Sequence, residues 1–278
     1  MKKMKLKLKW KIIFSIILLI LFLFLYMRFI GTSGLTIREY KVTDENLTSF
    51  YGFKIAHFSD LHYGMSVNER KLSYLVETIN KTKPDIVIFT GDLVDRNTKI
   101  TDETNNILIK YLSKIDSVYG KYYVKGNHDK VNKSYDTIMT NSNFKCLDET
   151  YDVIYSKDNK SLFIGGVSVD KSLNNNTIET LNLNEYDYKL FALHYPDKVD
   201  EILKYNFDLI LSGHSHNGQV RLPVIGKIIT PNNAKKYYEP YYQLDNTQLY
   251  ISGGIGNSVL NLRFFNKPSF NLYRLVDK

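Results

Sequence analysis

Residues 86–92 read Ile-Val-Ile-Phe-Thr-Gly-Asp, an apolar run that stops on a glycine and a carboxylate. Pro84 lies just upstream, where it ends any preceding helix, so Asp85–Thr90 reads as a buried strand. Four other segments have the same form. They are KIAHFSD (residues 54–60, followed by Leu61 and His62), YYVKGNHD (122–129), YKLFALH (188–194) and FDLILSGHSH (207–216). In an open α/β sheet, ligands bind just beyond the carboxyl ends of the strands. Five such ends would deliver their Asp, His and Asn side chains to one place. Asp60 and His62 are two residues apart, as are His214 and His216; in extended backbone such pairs face the same way. Gly91, Gly126 and Gly213 directly precede Asp92, Asn127 and His214, where the chain must turn off a strand or admit a close neighbour.

Around these runs the pattern alternates. A first strand is expected near Leu35–Val42 and another at Phe53–Ser59, with helices near Glu69–Asn80, Glu103–Ile115 and Ser134–Met139. Val153–Tyr155 and Leu162–Val167 read as a hairpin. Gln219–Leu222, Gln248–Ile251 and Phe270–Leu275 complete the strands. Strands alternating with helices predict an α/β fold in the first half, and consecutive strands predict a second, more antiparallel sheet. Ser172–Asn184 is Asn-rich and reads as a surface loop or small cap.

The chain of 278 residues carries a formal charge of +8, unevenly placed. Lys2, Lys3, Lys5, Lys7, Lys9, Lys11 and Arg28 lie in the first 30 residues with no acid; of the 37 Lys and Arg, the other 30 face all 29 acids. The basic character belongs to the N-terminus, which argues against nucleic acid as a partner. Ile12–Met27 is an unbroken apolar run, extended past Arg28 by Phe29 and Ile30. At ~1.5 Å rise per residue, about 19 residues cross a ~30 Å hydrocarbon core. Trp10 and Tyr26 fall at its edges, and the lysines before it mark the cytoplasmic side. The expected organisation is a basic cytoplasmic tail (1–11), a transmembrane signal anchor (12–30), a linker with the first strand (31–48) and a catalytic domain (49–278) on the extracytoplasmic side of the cell membrane. A cleaved signal peptide and a buried soluble helix are the alternatives. Cys146 is the one cysteine, so no intrachain disulfide forms, and it reads as a small, partly buried side chain.

Five of the six histidines, His62, His128, His194, His214 and His216, stand at the motif positions that end the five segments; His57 lies within the first apolar run instead and reads as structural. The donors are carboxylates, imidazoles and an amide oxygen without thiolate, a set suited to Mn, Fe, Zn or Ni. Their number exceeds what one ion takes, so two divalent metal ions are expected, with Asp92 as the natural bridge. Such a pair activates water and clamps a phosphate.

The motifs D-x-H (Asp60, His62), G-D-x-x-D (Gly91–Asp95), G-N-H-D (Gly126–Asp129), a lone His194 and G-H-x-H (Gly213–His216) together resemble the calcineurin-like metallophosphoesterase superfamily. The resemblance implies two mixed sheets packed face to face with helices outside. It also implies a first metal on Asp60, His62, Asp92 and His216, and a second on Asp92, Asn127, His194 and His214. His128 would contact the phosphate and protonate the leaving oxygen, with Asp95 fixing its orientation; Asn127 would also touch substrate. GHSHNGQVRLP (213–223), QLYISGGIGNS (248–258) and LRFFNKP (262–268) are similar to the membrane-anchored YkuE-type branch, related to UDP-2,3-diacylglucosamine hydrolases. In that branch Arg221 is a candidate phosphate contact. Asn217 stands where the branch usually has Gly, and Asn tolerates left-handed backbone better than most residues.

The expected activity is hydrolysis of a phosphodiester or pyrophosphate bond, on a substrate that the membrane tether suggests is lipid-linked. A phosphomonoesterase or protein phosphatase on the same site, and a non-catalytic binding scaffold, are the alternatives. No obligate protein partner is evident from the sequence.

Overall fold

The computed structural model describes residues 2–171 and 181–277. The Asn-rich segment singled out above lies largely outside them. Helix α1 (Lys2–Leu25) passes without a break into a π-helical turn, Tyr26–Ile30. Most of its apolar side chains from Ile12 onward are exposed and none is fully buried, so the buried-helix alternative is overturned.

Two six-stranded sheets follow. The first holds β1 (Thr36–Thr43), β2 (Lys54–Phe58), β3 (Ile86–Phe89), β4 (Gly120–Tyr123) and β5 (Lys145–Cys146). The last strand of the chain, β14 (Ser269–Val276), lies between β1 and β2. It runs parallel to β1 and antiparallel to β2; the β2–β3, β3–β4 and β4–β5 pairs are parallel. The second sheet holds β6 (Tyr151–Tyr155), β7 (Ser161–Val167), β8 (Tyr188–Leu193), β9 (Leu209–Ser212), β12 (Tyr241–Leu244) and β13 (Thr247–Ile251). The expected hairpin is present as the antiparallel β6–β7 pair. The second sheet is the more antiparallel of the two, with two antiparallel pairs of five against one of five in the first, but the difference lies only at its edges. Its centre, β7–β8–β9–β13, is parallel throughout, and only the β6 and β12 edges are antiparallel. Gln219–Leu222 also differs: β10 (Arg221–Leu222) joins neither sheet and pairs with β11 (Gly226–Lys227) in a separate small hairpin.

Alternation along the strands builds three layers of core. Ile55, Ile86 and Ile88 face the second sheet and meet Leu162, Ile164, Leu190 and Leu209. Ala56, Val87 and Phe89 point the other way, onto helices α2 (Glu69–Thr82), α3 (Asp102–Leu112) and α4 (Tyr135–Asn141). Helix α2 buries Leu72, Leu75, Val76 and Ile79, each worth about 1.5–3 kcal/mol when removed from water. It starts where the Asn68 side chain accepts from the Lys71 amide, and it stops at Lys83 in the left-handed region, just before Pro84. The outer face of the second sheet is covered by 3-10 turns at Pro196–Glu201 and Leu203–Tyr205, which bury Val199 and Ile202 against Phe191 and Ile210. The carboxyl ends of β2, β3, β4, β8 and β9 then open toward one edge of the sandwich.

Candidate metal centre

All five strand ends converge there. Asp60, His62 and His216 form one group whose ligand atoms lie within 4.8 Å of one another; Asp92, His194 and His214 form a second; His62, Asp92 and His128 form a third that joins them. Oδ2 of Asp92 is 3.8 Å from His62 Nε2, 3.5 Å from His194 Nε2 and 3.9 Å from His128 Nε2. It therefore stands between the two outer groups.

Asp60, His62, Asp92, His214 and His216 all have φ between 44° and 66°. Left-handed backbone at a non-glycine residue costs of the order of 1–3 kcal/mol and persists only where the surroundings enforce it. Five such residues on one cluster aim their side chains off the strand ends and inward. Gly126 permits the approach: a Cβ there would fall 2.2 Å from Asp92 Oδ1.

Hydrogen bonds from behind fix the ring orientations of one group. His194 Nδ1 donates to the Thr90 carbonyl (2.6 Å), which turns Nε2 toward Asn127 Oδ1 (3.1 Å) and His214 Nδ1 (3.1 Å). His214 Nε2 donates to the Asn232 carbonyl (2.7 Å), so its Nδ1 presents a lone pair. Acceptor atoms of Asp92, Asn127 and His214 thus meet at His194 Nε2, and the arrangement demands positive charge. The titration behaviour reports the same field. Burial would lower His194, yet the Asp92 carboxylate raises it to about 9. Burial would raise Asp92, yet His194, His62 and His128 hold it well below the usual carboxylate range. Burial pushes His62 down to about 4, His214 to about 3 and His216 well below its ordinary value. These three imidazoles are therefore neutral at pH 7, the form that binds a cation. The donor set fits divalent metal.

The other group is held less firmly. His62 and His216 bring their Nε2 atoms to 3.3 Å, but among the described residues His62 Nδ1 has no hydrogen-bond partner. His216 Nδ1 faces only the Arg263 guanidinium, at 3.5 Å. Asp60 is fixed by Ser59 Oγ (2.5 Å) and the His214 amide (3.0 Å), and burial raises it to about 6.

A family model for calcineurin-like phosphoesterases matches residues 53–218. The chain belongs to the calcineurin-like phosphoesterase family. Metallophosphoesterase YkuE of Bacillus subtilis is 32% identical over 256 residues, 90% of this chain and 88% of its own length. Phosphodiesterase YaeI of Escherichia coli is 24% identical, over 81% of this chain and 82% of its own length. A transmembrane protein with a metallophosphoesterase domain from Danio rerio is 22% identical, over 79% of this chain and 52% of its own length. The protein is accordingly a metal-dependent phosphoric ester hydrolase of a family that uses two metal ions.

Within this phosphoesterase the remaining expected residues sit as follows. His128 lies at the rim, with its Nδ1 accepting from the Arg96 amide (3.2 Å). Asp95 Oδ2 stands 3.8 Å from both His128 Nδ1 and His62 Nδ1, and Asp95 Oδ1 accepts from the Asn97 amide. Asp95 is thus a neighbour of two histidines and not a hydrogen-bond partner of His128. Arg221 is outside the cluster: its guanidinium pairs with Glu239 (2.7 Å) and donates to the Asn217 carbonyl. Asn217 takes φ 49°. Its amide donates to the Tyr238 and Ile251 carbonyls and accepts from Arg38, bonds that a glycine would lack.

Two functional residues carry no role in the sequence reading. Asp129 is buried and accepts from the amides of Asp92 (2.7 Å), Leu93 (2.9 Å) and Gly126 (2.8 Å), clamping two ligand-bearing loops together. Its position directly after Asn127-His128 is the signal that could have found it. Arg263 is fully buried behind His216 and donates to the carbonyls of Gly253, Gly254, Gly256 and Asn266. No spacing in the sequence announces it.

Proposed function

We propose that the chain is a membrane-anchored dinuclear phosphoesterase that cleaves a phosphodiester or pyrophosphate bond. Asp60, His62, Asp92 and His216 would hold one ion, and Asp92, Asn127, His194 and His214 the other. The observation that carries this reading is the shared position of Asp92, within 4 Å of imidazoles from both groups. When bound, the ion pair supplies charge stabilisation for the phosphate and a water acidic enough to attack it at neutral pH.

The chain's own residues do the rest. Asn127 and the surrounding imidazoles orient the phosphate. The Arg96 amide donates to His128 Nδ1, so the ring carries its hydrogen on Nε2, where it would donate a hydrogen bond to the phosphate or the leaving oxygen. Asp95 Oδ2, 3.8 Å from His128 Nδ1, sets a carboxylate beside the ring. Arg221 acts indirectly, by bracing the Asn217 turn. Helix Lys7–Ile30 is long and apolar enough to cross a membrane, which supports a single-pass anchor with the lysine-rich end in the cytoplasm and the catalytic domain outside. The tether and the name phosphodiesterase on a relative support a diester substrate carried on lipid.

The test is hydrolysis of bis(p-nitrophenyl) phosphate against p-nitrophenyl phosphate by the full chain, metal-free and after addition of manganese. Metal-dependent turnover of the diester is expected. Preference for the monoester would replace this reading with a phosphomonoesterase, and no metal-dependent turnover of either would leave a binding scaffold.

A further inference from the structure

The end of the N-terminal helix is docked onto the catalytic domain. The Met27 carbonyl accepts from the Arg263 amide (3.1 Å), and the Tyr26 ring meets Phe264 edge-on at 5.8 Å. A Cβ on Gly31 would fall 1.9 Å from the Arg263 carbonyl oxygen, so the contact closes only because residue 31 is glycine. Tyr26 and Met27 precede Ile30, the end of the apolar run, by three or four residues, about 5–6 Å along a helix. The loop at Arg263–Phe265 therefore lies beside the last turn of the span, not above it.

That loop is part of a larger apolar ridge. Phe264 pairs with Val220; Arg221 donates to the Phe264 carbonyl and Phe264 to that of Gln219. The Gln219 side chain bonds the carbonyls of Ser258 and Leu260. The β10–β11 hairpin and the 258–265 loop are thus one surface. Its tips expose Val224, Ile225, Ile229, Val259, Leu260 and Phe265, each more than 60% accessible. Val224, Val259 and Phe265 also have φ of 70°, 58° and 52°. Glycine or asparagine would relieve both the strain and the exposure at these tips, and a bulky apolar residue at positive φ is a true outlier. The ridge stretches 219–230 and 258–268 contain no acid; Arg263 is buried and Arg221 is paired with Glu239, which leaves Lys227 and Lys267 to complement an anionic headgroup layer.

The geometry points to a second membrane contact: the ridge 224–229 with 259–265 inserts into the outer leaflet next to the chain's own anchor. This inference rests on the reading of residues 12–30 as that anchor. His216 is three residues from Gln219 at the base of the ridge, at most about 10 Å of chain. Docking would hold the metal centre at headgroup depth, facing a phosphate on a lipid, and would define the substrate as one presented by the bilayer.

The test uses the full chain in vesicles of phosphatidylcholine and phosphatidylglycerol containing a lipid spin-labelled on its acyl chain. In a Cys146→Ser background, an environment-sensitive fluorophore is placed by Ile225→Cys, Leu260→Cys or Phe265→Cys. Phe22→Cys in the span and Val118→Cys, exposed at the opposite end of β4, serve as references. Blue-shifted emission at the three ridge positions, lost to the spin-labelled lipid as at Phe22, is the expected result. Ridge labels that behave like Val118 while Phe22 is quenched would overturn the ridge and leave the anchor standing. An unquenched Phe22 label would remove the anchor and this proposal with it. Ridge labels that are blue-shifted yet unquenched would mean that protein, such as a second copy, covers the ridge, and would also overturn it.

Discussion

Asp129→Asn isolates the clamp behind the metal loops. The carboxylate takes three amide protons, two on Oδ2 from Asp92 and Gly126 and one on Oδ1 from Leu93. An asparagine oxygen can replace only one of those atoms. In the better orientation it keeps the Asp92 and Gly126 amides and turns its NH2 against the Leu93 amide, leaving a buried donor unsatisfied at about 1–3 kcal/mol. The two surviving bonds lose their charge assistance, about 1 kcal/mol each. The sum is about 3–5 kcal/mol, or on the order of 10 °C in melting temperature for a domain of this size. Because the clamp positions Asp92 and Asn127, affinity for metal should also fall about 10–100-fold, as for other partners that orient ligands from behind. Thermal melting with and without manganese, together with a competitive chelator titration, reads both. A variant that melts within a degree of the parent and binds metal equally well would refute the argument, because the three bonds would then carry no net stabilisation.

Other expectations follow from the same geometry. His128→Ala should retain both ions by elemental analysis while losing about 10²–10⁴ in turnover of the diester; loss of metal would show the ring to be a ligand instead. His194→Ala should lower metal content more than His216→Ala, because carbonyls fix the rings of His194 and His214 whereas His62 Nδ1 has no partner among the described residues. Equal losses would refute that ranking. His57 is buried between Thr90 and Tyr273, and burial lowers it to about 3 from 6.5. The folded chain then binds fewer protons than the unfolded chain between those values, so its contribution is complete above pH 6.5 and fades as pH falls toward 3. By pH 4 the loss is about 3 kcal/mol. Denaturant titrations at pH 7 and pH 4 should show a smaller acid loss for His57→Gln than for the parent; an unchanged loss would exclude His57 as its source.

The site was more legible than the sheet that carries it. Asp60, Asp92, Asn127, His194 and His214 stand at the ends of apolar runs, and strand ends of an α/β sheet share one edge, so local pattern sufficed to gather them. The place of β14 was not legible, because Phe270–Leu275 reads as a strand wherever it pairs and its partners lie more than 200 residues away. Parallel pairing at the centre of the second sheet was hidden for the same reason: β8 and β9 are joined by 3-10 turns that carry no helical period. Arg221 illustrates a different limit. A guanidinium near a metal motif suggests phosphate, but its partner Glu239 is 18 residues downstream and only the folded chain joins them. Asp129 closes the G-N-H-D motif, yet its role is not legible there, since a backbone clamp uses amides, which every sequence has.

The position of β14 has a consequence for biosynthesis. Strand β14 is an interior member of the first sheet, flanked by two strands that precede it by more than 200 residues. Until residues 269–276 emerge, β1 has no partner in that sheet and β2 lacks one of its two neighbours. The nascent chain must therefore wait with open strand edges exposed to its neighbours. Loss of residues 269–276 alone would leave the first sheet unable to close, whatever the state of the second.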